Sequence, residues 1–60
     1  MPFNEILARE RKARGLSQED LAARIQVSRQ AVSKWETGDA MPDLNKLLAL
    51  AVALPFWPII

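Results

Sequence analysis

One predicted helix separates its polar and apolar side chains onto two faces. On a period of 3.6 residues, the segment from Arg29 to Thr37 places Val32 and Trp35 on one side. The opposite side carries only side chains that can donate hydrogen bonds, and no carboxylate: Arg29, Gln30, Ser33, Lys34 and Thr37. Arginine and lysine bind phosphates and guanine edges, and glutamine pairs bidentately with adenine. The pattern favours a face that reads DNA; an ordinary solvated face is the alternative.

Two capped helices and a short turn would hold this face. Ser17 is the predicted N-cap of the first helix, with Asp20 completing a capping box, and Ser28 is the predicted N-cap of the second. About three residues, Gln26 to Ser28, connect the helices, and so short a connection forces a steep crossing. The sequence predicts a helix-turn-helix unit over about residues 17–37.

Further helices are predicted on both sides of this unit. The first runs from the N-cap Asn4 to Arg14, and Gly15 supplies the left-handed residue after its last turn. The last begins after the cap Asp43. β-Branched residues are sparse and never alternate, which argues against strands. The predicted fold is all-α and compact, with four to five helices and an irregular apolar tail over residues 54–60.

The helical periods also predict the core. A chain of 60 residues buries only about 60% of the surface that it exposes when unfolded, so few large side chains are available for this purpose. The large side chain of Trp35 is interpreted as packing and not as a platform for bases. The predicted core consists of Leu7, Leu16, Leu21, Ala22, Ile25, Val27, Val32, Trp35, Leu44, Leu47 and Leu48.

Composition argues against several classes of protein. The chain has no cysteine or histidine, which argues against disulfides and a structural zinc site. There is also no tyrosine and no glycine-rich phosphate loop, and helix capping explains the acidic pair Glu19 and Asp20, so neither an enzyme nor a cofactor or small-molecule substrate is indicated. The N-terminus lacks the pattern of a signal peptide, and the apolar stretch from Leu47 to Ile60 is shorter than the roughly 20 residues of a membrane span. The expected location is the cytoplasm.

Charge is distributed unevenly along the chain. Residues 1–35 hold seven lysines and arginines against four acidic residues, whereas residues 36–60 hold one against three. A basic phosphate-facing side and an acidic remote side would give this distribution. Random scatter in a short chain is the alternative.

Three segments resemble the Cro/phage-repressor (XRE-type) helix-turn-helix family: Arg14–Ala22, Val27–Gly38 and Pro42–Leu44. The resemblance covers roughly residues 3–51. It implies a lambda-repressor-like DNA-binding domain over residues 1–60 that acts as a transcriptional regulator. The role favoured by the resemblance is a repressor that binds a pseudo-palindromic operator as a homodimer, with the third helix in the major groove of double-stranded DNA.

The same resemblance implies roles for individual residues. Gln18 matches a glutamine that binds a backbone phosphate, and Ser28 is either a cap alone or also a phosphate ligand. Thr37 and Lys34, toward the end of the helix, are expected at phosphates. Base edges and nearby phosphates are expected to meet Arg29, Gln30, Ser33 and Lys34.

Arg11 and Glu36 match positions that form an ion pair between the first and third helices in relatives. A buried Glu36 would require such a partner. Two separately solvated charges are the alternative.

The sequence departs from the family pattern at three places. Gln26 stands where the turn often has glycine. If this residue is left-handed, glutamine costs roughly 1–2 kcal/mol there. Glu10 occupies a commonly apolar position, which predicts a thinner core there. The tail contains two prolines in place of a fifth helix, and its large apolar residues are candidates for a dimer or partner contact: Phe56, Trp57, Ile59 and Ile60.

A second function remains open from the sequence. The chain could be a protein-interaction module, antitoxin-like or partner-binding, whose functional surface is the apolar tail. Substitution of Arg29 and Gln30 distinguishes the two, because only a DNA reader would lose its function.

Overall fold

The computed structural model describes residues 2–54, which form four helices and no strand. In chain order the helices are α1 (Phe3–Ala13), α2 (Gln18–Ile25), α3 (Arg29–Thr37) and α4 (Leu44–Ala53). Helix α3 packs against both α1 and α2, and α4 packs against α2. The all-α prediction is therefore confirmed, with four helices in the described part of the chain.

Three of the helices begin at side-chain caps that the sequence predicted. The Ser17 hydroxyl accepts a hydrogen bond from the amide of Asp20 at 2.9 Å, and the Asp20 carboxylate accepts one from the amide of Ser17 at 3.0 Å. Ser28 and Asp43 accept from the amides three residues later, at 3.1 and 2.9 Å. The caps satisfy amides that have no partner within the helix.

The start of α1 differs from the prediction. The residue before the helix is Pro2, in an extended conformation without a side-chain cap, and Asn4 lies inside the first turn. Proline suits a helix start because its fixed φ and missing N–H cost nothing there. The predicted cap at Asn4 is therefore wrong. Its side-chain amide instead donates to the backbone oxygen of Glu36 at 3.3 Å, which joins α1 to α3.

Helices α1, α2 and α3 end in the same way. The turn after each helix contains a residue with positive φ: Gly15 at 70°, one residue beyond Arg14, and Gln26 at 60° and Gly38 at 85° directly after their helices. The amide of the next residue then donates to the carbonyl five positions earlier, at 3.1, 3.0 and 2.9 Å respectively. This arrangement reverses the chain direction while it satisfies carbonyls at the helix end.

The core joins all four helices. Its buried side chains are Leu7, Leu21, Ala22, Ile25, Val32, Trp35, Leu50 and Leu54. Of the other predicted core residues, Leu16 and Val27 are partly buried against this cluster, and Leu47 is half-buried.

Helix α4 turns a different face inward from the one that was predicted. Leu44 and Leu48 are exposed, at 70% and 56% of their surface, so their assignment to the core was wrong. Leu50 and Leu54 are fully buried instead. Nearly every residue of α4 is apolar, and such a pattern does not distinguish the buried face from the outer one. Within residues 2–54, no helix has both the length and the apolar character to cross a membrane.

Candidate nucleic-acid interface

The connection between α2 and α3 sets the orientation of the candidate surface. Gln26 has φ 60° and ψ 47°, so it does adopt the left-handed conformation that was considered for its position in the turn. Val27 is partly buried against the core, and Ser28 caps α3. One core contact and one cap therefore fix the start of α3 after a connection of three residues.

Helix α3 presents its polar face to solvent. Arg29, Gln30, Lys34 and Thr37 are exposed, whereas Ser33 is half-buried. Val32 and Trp35 hold the opposite side of the helix in the core. The first turn of α3 contains no acidic residue. An exposed face of this composition can bind phosphates and the edges of bases.

Two hydroxyl groups on this surface also serve the helix itself. Ser28 accepts its capping bond, so its own hydroxyl hydrogen is still available for a phosphate. The cap and the phosphate ligand are thus compatible roles. Thr37 instead donates its hydroxyl hydrogen to the backbone oxygen of Lys34 at 3.1 Å. Thr37 would have to give up that bond before it could donate to a phosphate.

Arg11 and Glu36 form an ion pair between α1 and α3. Arg11 Nε lies 2.6 Å from Glu36 Oε2, and Nη2 lies 3.1 Å from Oε1. The two side chains are only 11% and 7% exposed. Arg11 Nη1 also donates to the backbone oxygen of Leu16 at 2.7 Å. Hydrogen bonding to the Glu36 carboxylate raises the pKa of Arg11 above its ordinary value, although burial opposes this, so Arg11 stays charged.

The Glu36 carboxylate also holds Gln18, an arrangement that the sequence did not predict. Gln18 Nε2 donates to Glu36 Oε1 at 3.1 Å, at the start of α2. Because a carboxylate repels an amide oxygen, this bond fixes which end of the Gln18 amide faces inward. One N–H and the side-chain oxygen remain for a ligand. No local pattern could reveal a bond between two helices 18 residues apart in sequence.

A second, more exposed ion pair lies on α1. Glu10 Oε1 and Arg14 Nη1 are 2.6 Å apart, and both side chains are partly exposed. Glu10 thus occupies its commonly apolar position as half of an i,i+4 pair. Such exposed pairs contribute little to stability, typically 0–1 kcal/mol.

The sequence from α1 to the end of α4 matches a known family. The family model described as helix-turn-helix matches residues 7–56, which is most of the chain. The chain belongs to the helix-turn-helix family. Helices α2 and α3, with the connection from Gln26 to Ser28, lie within the matched residues of this helix-turn-helix domain.

A curated relative supports the same assignment. The HTH-type transcriptional activator BcrR of Enterococcus faecalis is 43% identical to the helix-turn-helix domain over 51 residues. The alignment covers 85% of this chain and 25% of the relative. The chain therefore spans about a quarter of the length of the curated relative that it matches.

The predicted contact in the apolar tail lies beyond the described part of the chain. The four residues assigned to a dimer or partner contact, Phe56, Trp57, Ile59 and Ile60, fall outside the described residues.

Proposed function

We propose that this chain is the DNA-binding domain of a transcriptional regulator, with α3 in the major groove of double-stranded DNA. One observation carries the proposal. The exposed face of α3 presents Arg29, Gln30 and Lys34 and carries no carboxylate, on a helix whose other side is held in the core. Ordinary solvated faces tend to mix charges of both signs, and this one does not.

The proposed contacts divide into two groups. Arg29 and Gln30, in the first turn of α3, meet base edges, as does Ser33 if the groove brings a base close to its half-buried hydroxyl. Phosphates are met by Gln18, Ser28, Lys34 and Thr37. The Glu36 carboxylate supports this assignment of Gln18, because it holds the side-chain amide with one N–H still available.

A homodimer on a pseudo-palindromic operator is part of the proposal. One α3 helix reads only a few base pairs, and two copies separated by one helical turn, about 34 Å, read a longer site. The resemblance to phage repressors favours repression, whereas the relative from Enterococcus faecalis is named as an activator. Because the same face would bind DNA in either case, the position of the operator relative to the promoter decides between activation and repression.

Selection from a randomised duplex library at near-physiological salt tests the proposal. Sequencing of the bound pool should show an enriched motif with two-fold symmetry. A variant carrying both Arg29→Ala and Gln30→Ala should lose the enrichment. Lys46→Ala, which removes a positive charge from α4, should retain it and is the matched control.

The selection also separates the alternative function. If the wild-type chain enriches no motif, the proposal fails and an interaction module that acts through the apolar tail becomes the better interpretation. An enriched motif without symmetry would support a DNA reader that binds as a single copy. A reporter gene with the selected site placed upstream of its promoter, or overlapping it, would then distinguish activation from repression when the chain is expressed.

A further inference from the structure

Helix α4 carries an exposed apolar stripe on the side that faces away from the core. Leu44, Leu48 and Val52 follow one another at intervals of four residues and are 70%, 56% and 82% exposed. Residues at this spacing lie on one face of a helix, and three of them span about 12 Å. Met41, 67% exposed, precedes the stripe in sequence. Four large apolar side chains in one short segment are a candidate interaction surface.

The two ends of this α4 stripe carry opposite charges. At the C-terminal end, Val52 lines an open groove of about 490 Å³ together with Arg24, Ile25, Ala49 and Ala53. Arg24 is exposed there. At the N-terminal end, the exposed Asp43 caps the helix next to Leu44. The stripe thus runs from a negative end to a positive end.

We propose that the α4 stripe is the contact between two copies of this chain, with the two α4 helices antiparallel. In this arrangement Leu48 lies next to the two-fold axis and meets Leu48 of the partner subunit. Leu44 meets Val52 of the partner subunit, and Arg24 comes close to Asp43 of the partner subunit. The stripe is self-complementary in this register, as a two-fold interface requires.

Charge selects the antiparallel arrangement over the parallel one. A parallel pair would bring Arg24 close to Arg24 of the partner subunit and Asp43 close to Asp43 of the partner subunit, and like charges repel. Asp20, one turn before Arg24 on α2, offsets part of the positive charge of Arg24. Lys46, three residues after Asp43, offsets part of the negative charge at the other end in the same way.

A stable dimer interface usually involves about 20–30 residues on each side, whereas the stripe and Met41 supply four large apolar side chains. We therefore expect weak association of the free protein, strengthened when two half-sites on one duplex hold the copies close together. The inference rests on the proposed function for its biological purpose, because a symmetric operator needs two copies. Its physical content, self-association through α4, is independent of DNA.

Disulfide cross-linking tests the register directly, because the natural chain has no cysteine. A disulfide forms only when the two Cα atoms lie within about 7 Å. Leu48→Cys alone should form covalent dimers in a glutathione buffer at high protein concentration. Leu44→Cys and Val52→Cys should each cross-link poorly alone, but an equimolar mixture of the two should give the mixed dimer at several-fold higher yield.

Lys12→Cys is the matched control. Lys12 is exposed on α1, which packs against α3, and it lies outside the stripe, so its cysteine should cross-link no better than random collision allows. Circular dichroism checks that each variant is folded, and the exposure of the substituted residues makes unfolding unexpected.

Charge reversal tests the proposed contact between Arg24 and Asp43 of the partner subunit. Arg24→Glu in the Val52→Cys chain should lower its cross-linking to the Leu44→Cys chain several-fold. Adding Asp43→Lys to the Leu44→Cys chain should restore the yield, because Glu then meets Lys across the interface. A failure of the second change to restore a yield that the first had lowered would count against the contact between Arg24 and Asp43.

The outcomes separate this inference from the proposed function. Strong self-cross-linking at all three stripe positions would show a parallel pair, and no cross-linking at any of them would show that the stripe is not a contact between two copies. Either result overturns the inference and leaves the DNA selection untouched. Conversely, the mixed dimer together with a failed DNA selection would retain the α4 contact and reject the proposed function.

Discussion

At the scale of single residues, Gln26 combines a required geometry with an unfavourable residue type. The chain reverses at this position by the same left-handed conformation that glycine supplies after α1 and α3. An L-residue with a Cβ pays roughly 1–2 kcal/mol for that conformation, whereas glycine does not. The turn of the helix-turn-helix therefore carries a local cost that the other two helix ends avoid.

Gln26→Gly should stabilise the domain. We expect a gain of about 0.5–1 kcal/mol, because glycine removes the strain but increases the entropy of the unfolded chain. The melting temperature, followed by circular dichroism, should rise by a few degrees. Gly15→Ala is the control in the opposite direction, because it adds a Cβ to a left-handed residue. No neighbouring atom lies within 4 Å of that Cβ, so the expected loss of stability measures the backbone cost alone. A stability loss in Gln26→Gly would show that the glutamine side chain contributes more than its backbone costs.

Several partly buried polar contacts meet at Glu36. Its carboxylate accepts hydrogen bonds from Arg11 and Gln18, and its backbone oxygen accepts one from Asn4. Glu36→Ala should cost about 3 kcal/mol of unfolding free energy, because Arg11 would keep a largely buried charge without its partner.

Replacing both members of the pair provides the control for Glu36→Ala. A double variant, Arg11→Met with Glu36→Leu, should recover much of the lost stability, since no unpaired charge remains. Chemical denaturation of both variants measures the difference. An unchanged midpoint in Glu36→Ala would contradict a structural role for the pair.

At the scale of the elements, the capping box of α2 links stability to pH. The backbone amide of Ser17 donates to Asp20 and lowers its carboxyl pKa below the ordinary value. The unfolded chain therefore binds this proton more readily than the folded chain does. The cap contributes stability above the ordinary carboxyl pKa of about 4, and that contribution is lost as the pH falls through the lower pKa of the folded state.

Asp20→Asn should reduce the dependence of stability on acid. We expect the variant to be less stable than the wild type at pH 7 and to lose less stability when the pH is lowered to about 3. Melting curves at the two pH values measure both effects. Glu19→Gln neutralises the neighbouring carboxyl, which lies outside the capping box, and should lose as much stability between pH 7 and about pH 3 as the wild type does. If the Asp20→Asn and Glu19→Gln variants lost the same amount of stability, the capping box would not be the source of the pH dependence.

Local features of the fold were predictable because their signals lie within a few residues. Ser17, Ser28 and Asp43 act as caps where the sequence placed them, and Gln26 is left-handed at the position where the family pattern often has glycine. The inward face of α4 was not predictable, because α4 carries apolar side chains on all sides. Only its packing against α2 selects the side that is buried. The bond between Gln18 and Glu36 likewise depends on how α2 and α3 cross.

At the scale of the whole molecule, the proposed function places the mildly basic part of the chain against DNA. Phosphate contacts release counterions, so affinity should fall steeply as salt rises. Base contacts and phosphate contacts respond differently to substitution, which allows the two proposed groups to be separated.

Lys34→Ala should weaken binding to the selected site and to unrelated DNA alike, and should lower the slope of log affinity against log salt by about one. Arg29→Ala should instead reduce the preference for the selected site, by about 1–3 kcal/mol if Arg29 binds a guanine bidentately. Fluorescence-anisotropy titrations at several salt concentrations measure both quantities. If the two variants lost affinity and specificity in the same proportion, the division into base and phosphate contacts would be wrong.

The complete burial of Leu54 has a practical consequence for protein engineering. This side chain has no exposed surface although it lies one residue beyond the end of α4, where a helix end would usually tolerate changes. A fluorescent protein, an affinity handle or a tether to a surface should therefore be joined after Leu54 and not at the last helical residue, Ala53. A junction one residue too early would remove a core side chain and make a sound domain look unstable.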